Sequence, residues 1–250
     1  MVFSRLIVNA DDFGYSEAVN RAIMSGFESG LLTSTSIMAN MPGFDHAVGL
    51  IQLHPVLQEK VGIHLNLTEG FPLSQALMAC PTLCGENGRF AYDRDRSLFR
   101  LGRKEREAVY EELQMQLERV LAAGIRPSHL DSHHHVHTEW AIAPLVCRLA
   151  RSYGIRRIRL TRNMGLMPSR ARRWYKRLFN YWFLGRHRGL VDNTDYFGDI
   201  GDMHYFLNTG VKKRLEGLSF EIMVHPQFDP TGRLVDYDGK DLELISCWRG

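Results

Sequence analysis

Short apolar runs alternating with helix-length amphipathic stretches constrain this chain more than any other feature. Residues 5–9, 33–38, 60–67, 127–133, 156–160 and 218–224 read as strands that look buried on both faces. Between them, helical patterns cover 17–29 behind a Ser16 cap, 43–53, 104–123 with Gly124 at its end, and 139–153. Strands buried on both faces need helices on both sides, which predicts a parallel sheet in an α/β fold. At 250 residues, a single domain built as a closed (β/α) barrel of seven or eight strands is expected. An open doubly wound sheet is the alternative. Residues 69–95 hold Pro72, Pro81, Gly85 and Gly88 and read as a surface loop. No linker-like composition or internal repeat divides the chain. No Gly-x-Gly-x-x-Gly or Walker-type loop follows a strand, so nucleotide binding has no local support.

The apolar run near Met1 is too short for a signal segment, and no window is apolar enough to span a membrane, so a cytoplasmic protein is expected. Cys80 and Cys84 form a C-x3-C pair. Cys147 and Cys247 do not complete a zinc set, so four reduced thiols are predicted. The net charge of +3 is small, but residues 151–190 contain twelve Lys/Arg and no Asp or Glu. Tyr153, Trp174, Tyr175, Phe179, Tyr181, Trp182 and Phe183 lie among them. A solvated helix face with apolar residues turned inward is the plain reading. An anion, glycan or membrane-surface contact, or a homodimer interface, is the functional one. No nucleic-acid module accompanies the charge, so nucleic acid is not an expected partner.

In parallel α/β folds, chemistry collects where strands end, and the unusual polar residues fall there. Asp11 and Asp12 close the first strand. Neighbouring strand residues face opposite ways, yet a turning backbone lets both reach one site. His64 interrupts an apolar strand. His129, His133, His134, His135 and His137 put five of the eleven histidines within nine residues. In strand geometry His133, His135 and His137 share a face. His225 ends another apolar strand, before Pro226. Any one of these has a bland explanation in capping or packing. Together, one Asp and two His match an open divalent-metal site, with a carboxylate left over as general base and a histidine as general acid.

The strings Ile7-Val8-Asn9-Ala10-Asp11-Asp12-Phe13-Gly14, Thr33-Ser34-Thr35-Ser36-Ile37, Gly62-Ile63-His64-Leu65, His129-Leu130-Asp131-Ser132-His133-His134-His135-Val136-His137 and Glu221-Ile222-Met223-Val224-His225-Pro226 resemble those of the YdjC-like carbohydrate deacetylases. The resemblance implies a seven-stranded (β/α) barrel of the glycoside hydrolase/deacetylase type. It also implies a divalent ion, Mg2+ or Zn2+, held by Asp12, His64 and His133. Asp11 is then the general base and His225 the general acid, acting on an N-acetylated sugar. Related polysaccharide deacetylases pair histidines four apart, which makes His137 the reserve ligand. Relatives carry a proline near the Thr161 position, preceded by an arginine that orients the catalytic aspartate. Here Arg159 and Arg162 flank Leu160-Thr161, and both, with His137, are substrate-side candidates.

Three other readings compete. A barrel hydrolase could act on a phosphoester or a non-sugar amide, which the basic segment at about 162–190 would suit. A glycosidase using Asp11 and Asp12 is disfavoured, because adjacent residues cannot flank a glycosidic bond about 5–9 Å apart. A non-enzymatic metal-binding protein would not need ligands spread over several strand ends.

Overall fold

The computed structural model describes residues 3–92, 101–164, 170–186, 193–208 and 217–248. Strand β1 (Arg5–Phe13) is followed by α1 (Glu17–Glu28), whose first turn is capped by the Ser16 hydroxyl accepting from the Val19 amide at 3.3 Å. Then come β2 (Ser34–Ile37), α2 (Phe44–Leu53), β3 (Val61–Leu65), the single turn α3 (Gln75–Met78) and the long α4 (Arg103–Ala122). Strand β4 (Leu130–Ser132) runs into a 3-10 turn (His133–Thr138) and then α5 (Ala143–Ser152). The chain continues through α6 (Arg170–Arg186), β5 (Tyr196–Asp199), α7 (Ile200–Asn208) and β6 (Ser219–Val224). A small antiparallel pair, β7 (Pro226–Phe228) and β8 (Leu234–Asp236), and a 3-10 turn (Leu242–Trp248) complete it.

The main sheet has six strands in the order β4-β3-β2-β1-β6-β5, every neighbour parallel. The order is cyclic, with β6 returning beside β1, and the sheet curls into a half-barrel. Residue 158 extends its β4 edge through one parallel bridge between Ile158 and Leu130. The same segment reaches the opposite edge, because the Asn163 and Met164 amides both donate to the Phe197 carbonyl. Val8, Ala10, Ile37, Ile63, Leu65, Leu130, Ile222 and Val224 are buried and form the centre of the core. Gly62 has a specific reason to be glycine: a Cβ there would lie 2.3 Å from the His129 ring.

Two strand expectations shrink. The 127–133 run is a strand only over Leu130–Ser132, because the backbone leaves extended geometry at His133. His134 and His135 take left-handed φ values of 51° and 57°. The strand face expected to join His133, His135 and His137 therefore does not exist. The 156–160 run pairs only at Ile158. The 69–95 loop is more than a surface crossing, since Leu77, Leu83, Cys84 and Tyr92 are buried in it, and residues 93–95 lie outside the described residues. So do 165–169 and 187–190 of the basic segment. All four cysteines are free thiols. Among the described residues no helix is long and apolar enough to cross a membrane.

Candidate metal and catalytic site

A cavity of about 580 Å³ opens at the carboxyl ends of β1, β3, β4 and β6. Asp11, Asp12, His64, His133 and His225 all line it, together with Arg162, Glu69, Tyr15 and Tyr237. The strand ends converge there because the sheet curls.

The pair Asp11-Asp12 reaches one site through a local distortion. The β1–β2 register shifts between Ala10 and Phe13, and Asp12 adopts φ 67°. A left-handed non-glycine residue is strained and persists only where its surroundings hold it. Here Oδ1 of Asp12 meets His64 Nε2 at 3.1 Å and His133 Nδ1 at 2.9 Å. Burial raises the Asp12 pKa, but hydrogen bonds from His133 and His64 outweigh it and hold the group well below the usual carboxylate range.

Beneath these residues lies a fully buried polar layer. Arg159 donates to both Asp11 oxygens at 2.6 and 2.7 Å. Its other bonds go to Asp131 at 2.7 Å and Glu221 at 2.7 Å, and its Cζ lies 4.8 Å from the Phe197 ring centre. Burial lowers the Arg159 pKa, but Asp11, Asp131 and Glu221 more than reverse this. Asp131 is pushed up by burial and pulled down further by Arg159 and His64, so it is a carboxylate acceptor. His64 Nδ1 donates to it at 2.8 Å, which turns Nε2 toward Asp12 and the cavity. Burial lowers the His64 pKa, and Asp131 and then Asp12 carry it up to about 10. The Ser36 hydroxyl donates to Asp131 at 2.9 Å, and the Asn9 amide donates to Asp11 at 2.8 Å.

His225 faces this group from the end of β6. Its backbone amide donates to Asp236 at 2.6 Å, its Nδ1 lies 3.8 Å from the same carboxyl oxygen, and its ring meets Tyr237 edge-on at 5.0 Å. Burial lowers the His225 pKa, but Asp236, then Asp11 and Asp12, raise it above its ordinary value.

The residues present fit a divalent ion. One donor atom each from Asp12, His64 and His133 lies within 4.8 Å of the others. One carboxylate and two imidazoles form an open three-ligand set. Asp131 backs His64 in the carboxylate–histidine arrangement that orients metal ligands. Arg159 is shared by Asp11, Asp131 and Glu221, while Asp12 pairs with His64 and His133. Among the described residues, the clusters with metal-holding geometry contain no cysteine.

Arg159 and His137 do not line the cavity. Arg159 is sealed beneath Asp11, where it can act only through its carboxylates. His137 is buried against Ser132 Oγ at 2.6 Å and the Arg159 carbonyl at 3.1 Å, and burial lowers its pKa to about 3. Arg162 reaches the cavity wall but is paired with Asp199 at 2.6 Å and with Asp202. Sequence reasoning passed over Asp131, Glu221 and Asp236. A charged residue inside each of the apolar runs holding Asp131 and Glu221 was an available signal. Asp236 gave none, since its strand was not foreseen.

The model of the YdjC-like protein family matches residues 5–244 of this chain. The chain belongs to the YdjC-like family. A carbohydrate deacetylase of Halalkalibacterium halodurans is 35% identical over 224 residues, covering 90% of this chain and 85% of that protein. One from Geobacillus stearothermophilus is 46% identical over 222 residues, covering 89% and 79%. A third, from Brevibacillus brevis, is 47% identical over 151 residues, or 60% of this chain and 57% of its own length. The fold is similar to the crystal structure of an Enterococcus faecalis V583 protein described, provisionally, as a cellobiose-phosphate cleavage protein. That match has a TM-score of 0.68 at 28% identity and covers 91% of this chain and 82% of the other.

Proposed function

We propose that this protein is a metal-dependent hydrolase that removes the acetyl group from an N-acetylated sugar or oligosaccharide. One observation carries the reading. The Asp12, His64 and His133 donor set, the arginine-braced Asp11 and the Asp236-backed His225 share one cavity. Relatives named carbohydrate deacetylases over most of the chain point the same way. We also read the half-barrel and the 157–164 segment together as a seven-stranded ring, since that segment hydrogen-bonds to both sheet edges.

Asp12, His64 and His133 would hold the ion, either zinc or magnesium. When bound, the ion polarises the acetamide carbonyl and acidifies water. Asp11 is positioned to take the proton of the attacking water, and Arg159 fixes both its oxygens so that little reorganisation is needed. The water oxygen bonds to the carbonyl carbon, and the carbon–nitrogen bond then breaks. His225, whose pKa burial lowers but Asp236, Asp11 and Asp12 raise overall, would give a proton to the departing amine. Acetate and a free amino sugar result. A phosphoester substrate is disfavoured: Arg162 is the one Lys or Arg among the described residues lining the cavity, and two aspartates already engage it.

The test is acetate release from N-acetylglucosamine oligomers by wild type and Asp11→Asn. Wild type should release acetate, and the variant should be at least ~100-fold slower while binding metal normally. Full activity in Asp11→Asn would remove Asp11 as the base. Phosphate release from sugar phosphates, with no acetate from any oligomer, would replace the reaction class.

A further inference from the structure

Helix α6 has two apolar faces where a surface helix needs one. Phe179 and Phe183 are buried, and Trp140 packs on Phe179 at 4.9 Å and on Trp182 at 4.6 Å. That face accounts for its docking on the barrel. Trp174, Leu178 and Tyr181, spaced at i, i+4 and i+7, form a second stripe that is 70%, 63% and 80% exposed. Nothing in the core needs these three residues, and clustered exposed aromatics mark contact surfaces. The helix contains six Lys/Arg and no Asp or Glu in its Arg170–Arg186 span. Arg177 lies over the Trp174 ring at 6.0 Å.

The helix is anchored beside the cavity. The Asn180 carboxamide oxygen accepts from the Thr161 amide at 3.1 Å and the Thr161 hydroxyl at 2.8 Å. Thr161 immediately precedes Arg162 on the cavity wall. Trp140 follows the 3-10 turn that carries His133.

We propose that the outward face of α6 docks this protein on an anionic lipid surface, beside the mouth of its cavity. Charge complementarity selects this occupant. A second copy would bring two acid-free basic helices face to face, which like-charge repulsion opposes. A nucleic-acid backbone would meet the charge but offer no apolar phase for Leu178. A bilayer interface offers both: headgroup phosphates for the cations, and an apolar boundary that Trp and Tyr favour. No spanning segment is required, consistent with the absence of such a helix among the described residues. If the catalytic reading above holds, the acetylated sugar is met at a membrane surface. The docking does not depend on that reading.

The experiment is co-sedimentation of the full chain with vesicles of phosphatidylglycerol and phosphatidylcholine in equal parts, beside pure phosphatidylcholine. The protein should pellet with the first and not the second, and high salt should release it. The Trp174→Ser/Leu178→Ser/Tyr181→Ser variant should bind at least about tenfold more weakly while melting like wild type. The salt titration needs no variant and stands if that one misfolds. Failure of wild type to bind anionic vesicles would overturn the proposal. So would undiminished binding by a folded triple variant, or a concentration-dependent dimer that the variant abolishes. Because no catalysis is read, failure here is distinct from failure of the deacetylase reading.

Discussion

Replacing Arg159 with Met keeps most of the side-chain volume and removes the guanidinium. Asp11, Asp131 and Glu221 would then be left together, buried, without their shared cation. Removing one partner of a buried ion pair costs about 3–5 kcal/mol. Arg159 serves three carboxylates, so the upper end applies, against a total stability of about 5–15 kcal/mol. For a chain of this size each kcal/mol moves Tm by roughly 2–4 °C, so a fall of roughly 10 °C or more is expected. The pH dependence identifies the cause. In wild type the Asp131 pKa is depressed, so its contribution is present above the unfolded value and is lost only as pH falls through the lower folded one. Between about pH 7 and pH 5 that contribution is constant. Without Arg159, burial and mutual repulsion raise the carboxyl pKa values, so acid relieves the variant. The gap between the two melting curves, recorded by circular dichroism in EDTA, should narrow from pH 7 to pH 5. A gap below about 1 kcal/mol at pH 7, or one that widens in acid, would refute the role given to Arg159.

Asp236→Asn should draw the alkaline limb of the kcat profile toward lower pH, because Asp236 is the largest influence raising the His225 pKa. An unmoved limb in pH-stat assays would detach His225 from proton transfer. Gly62→Ala should cost about 1–3 kcal/mol in urea melts, since the new Cβ would lie 2.3 Å from the His129 ring. A neutral result would mean that the ring moves freely. Zinc or magnesium at a hundred times its Kd should stabilise the stripped protein by about 2.7 kcal/mol, and Asp12→Ala should abolish that gain. Stabilisation retained in Asp12→Ala would place the ion elsewhere.

The strands leading to Asp11, His64 and His225 could be read from the chain because each holds buried apolar residues, Ile7 and Val8, Val61 and Ile63, Ile222 and Val224, next to polar ones. Asp12 was readable for a further reason, as neighbouring carboxylates share a site only where the strand distorts, and φ 67° is that distortion. The strand expected over 127–133 ends at Ser132, and the shared face that strand geometry would give His133, His135 and His137 is absent. The composition of the histidine run announces metal chemistry, but nothing local shows that the backbone turns left-handed at His134 and His135. Strand β5, Tyr-Phe-Gly-Asp in sequence, is too short and polar for an apolar-run criterion. The partners that tune the site were hidden for a different reason. Arg159 meets Asp11 across 148 residues and Glu221 across 62, and such pairings are set by the curl of the sheet.

The central claim is that one divalent ion, with Asp11 and His225, makes this cavity a deacetylase site. Titrating metal into stripped protein while following acetate release from N-acetylglucosamine oligomers tests it most directly. The account predicts no release before addition and a rate that saturates at one ion per chain. Acetate release that persists undiminished in the stripped protein would contradict it.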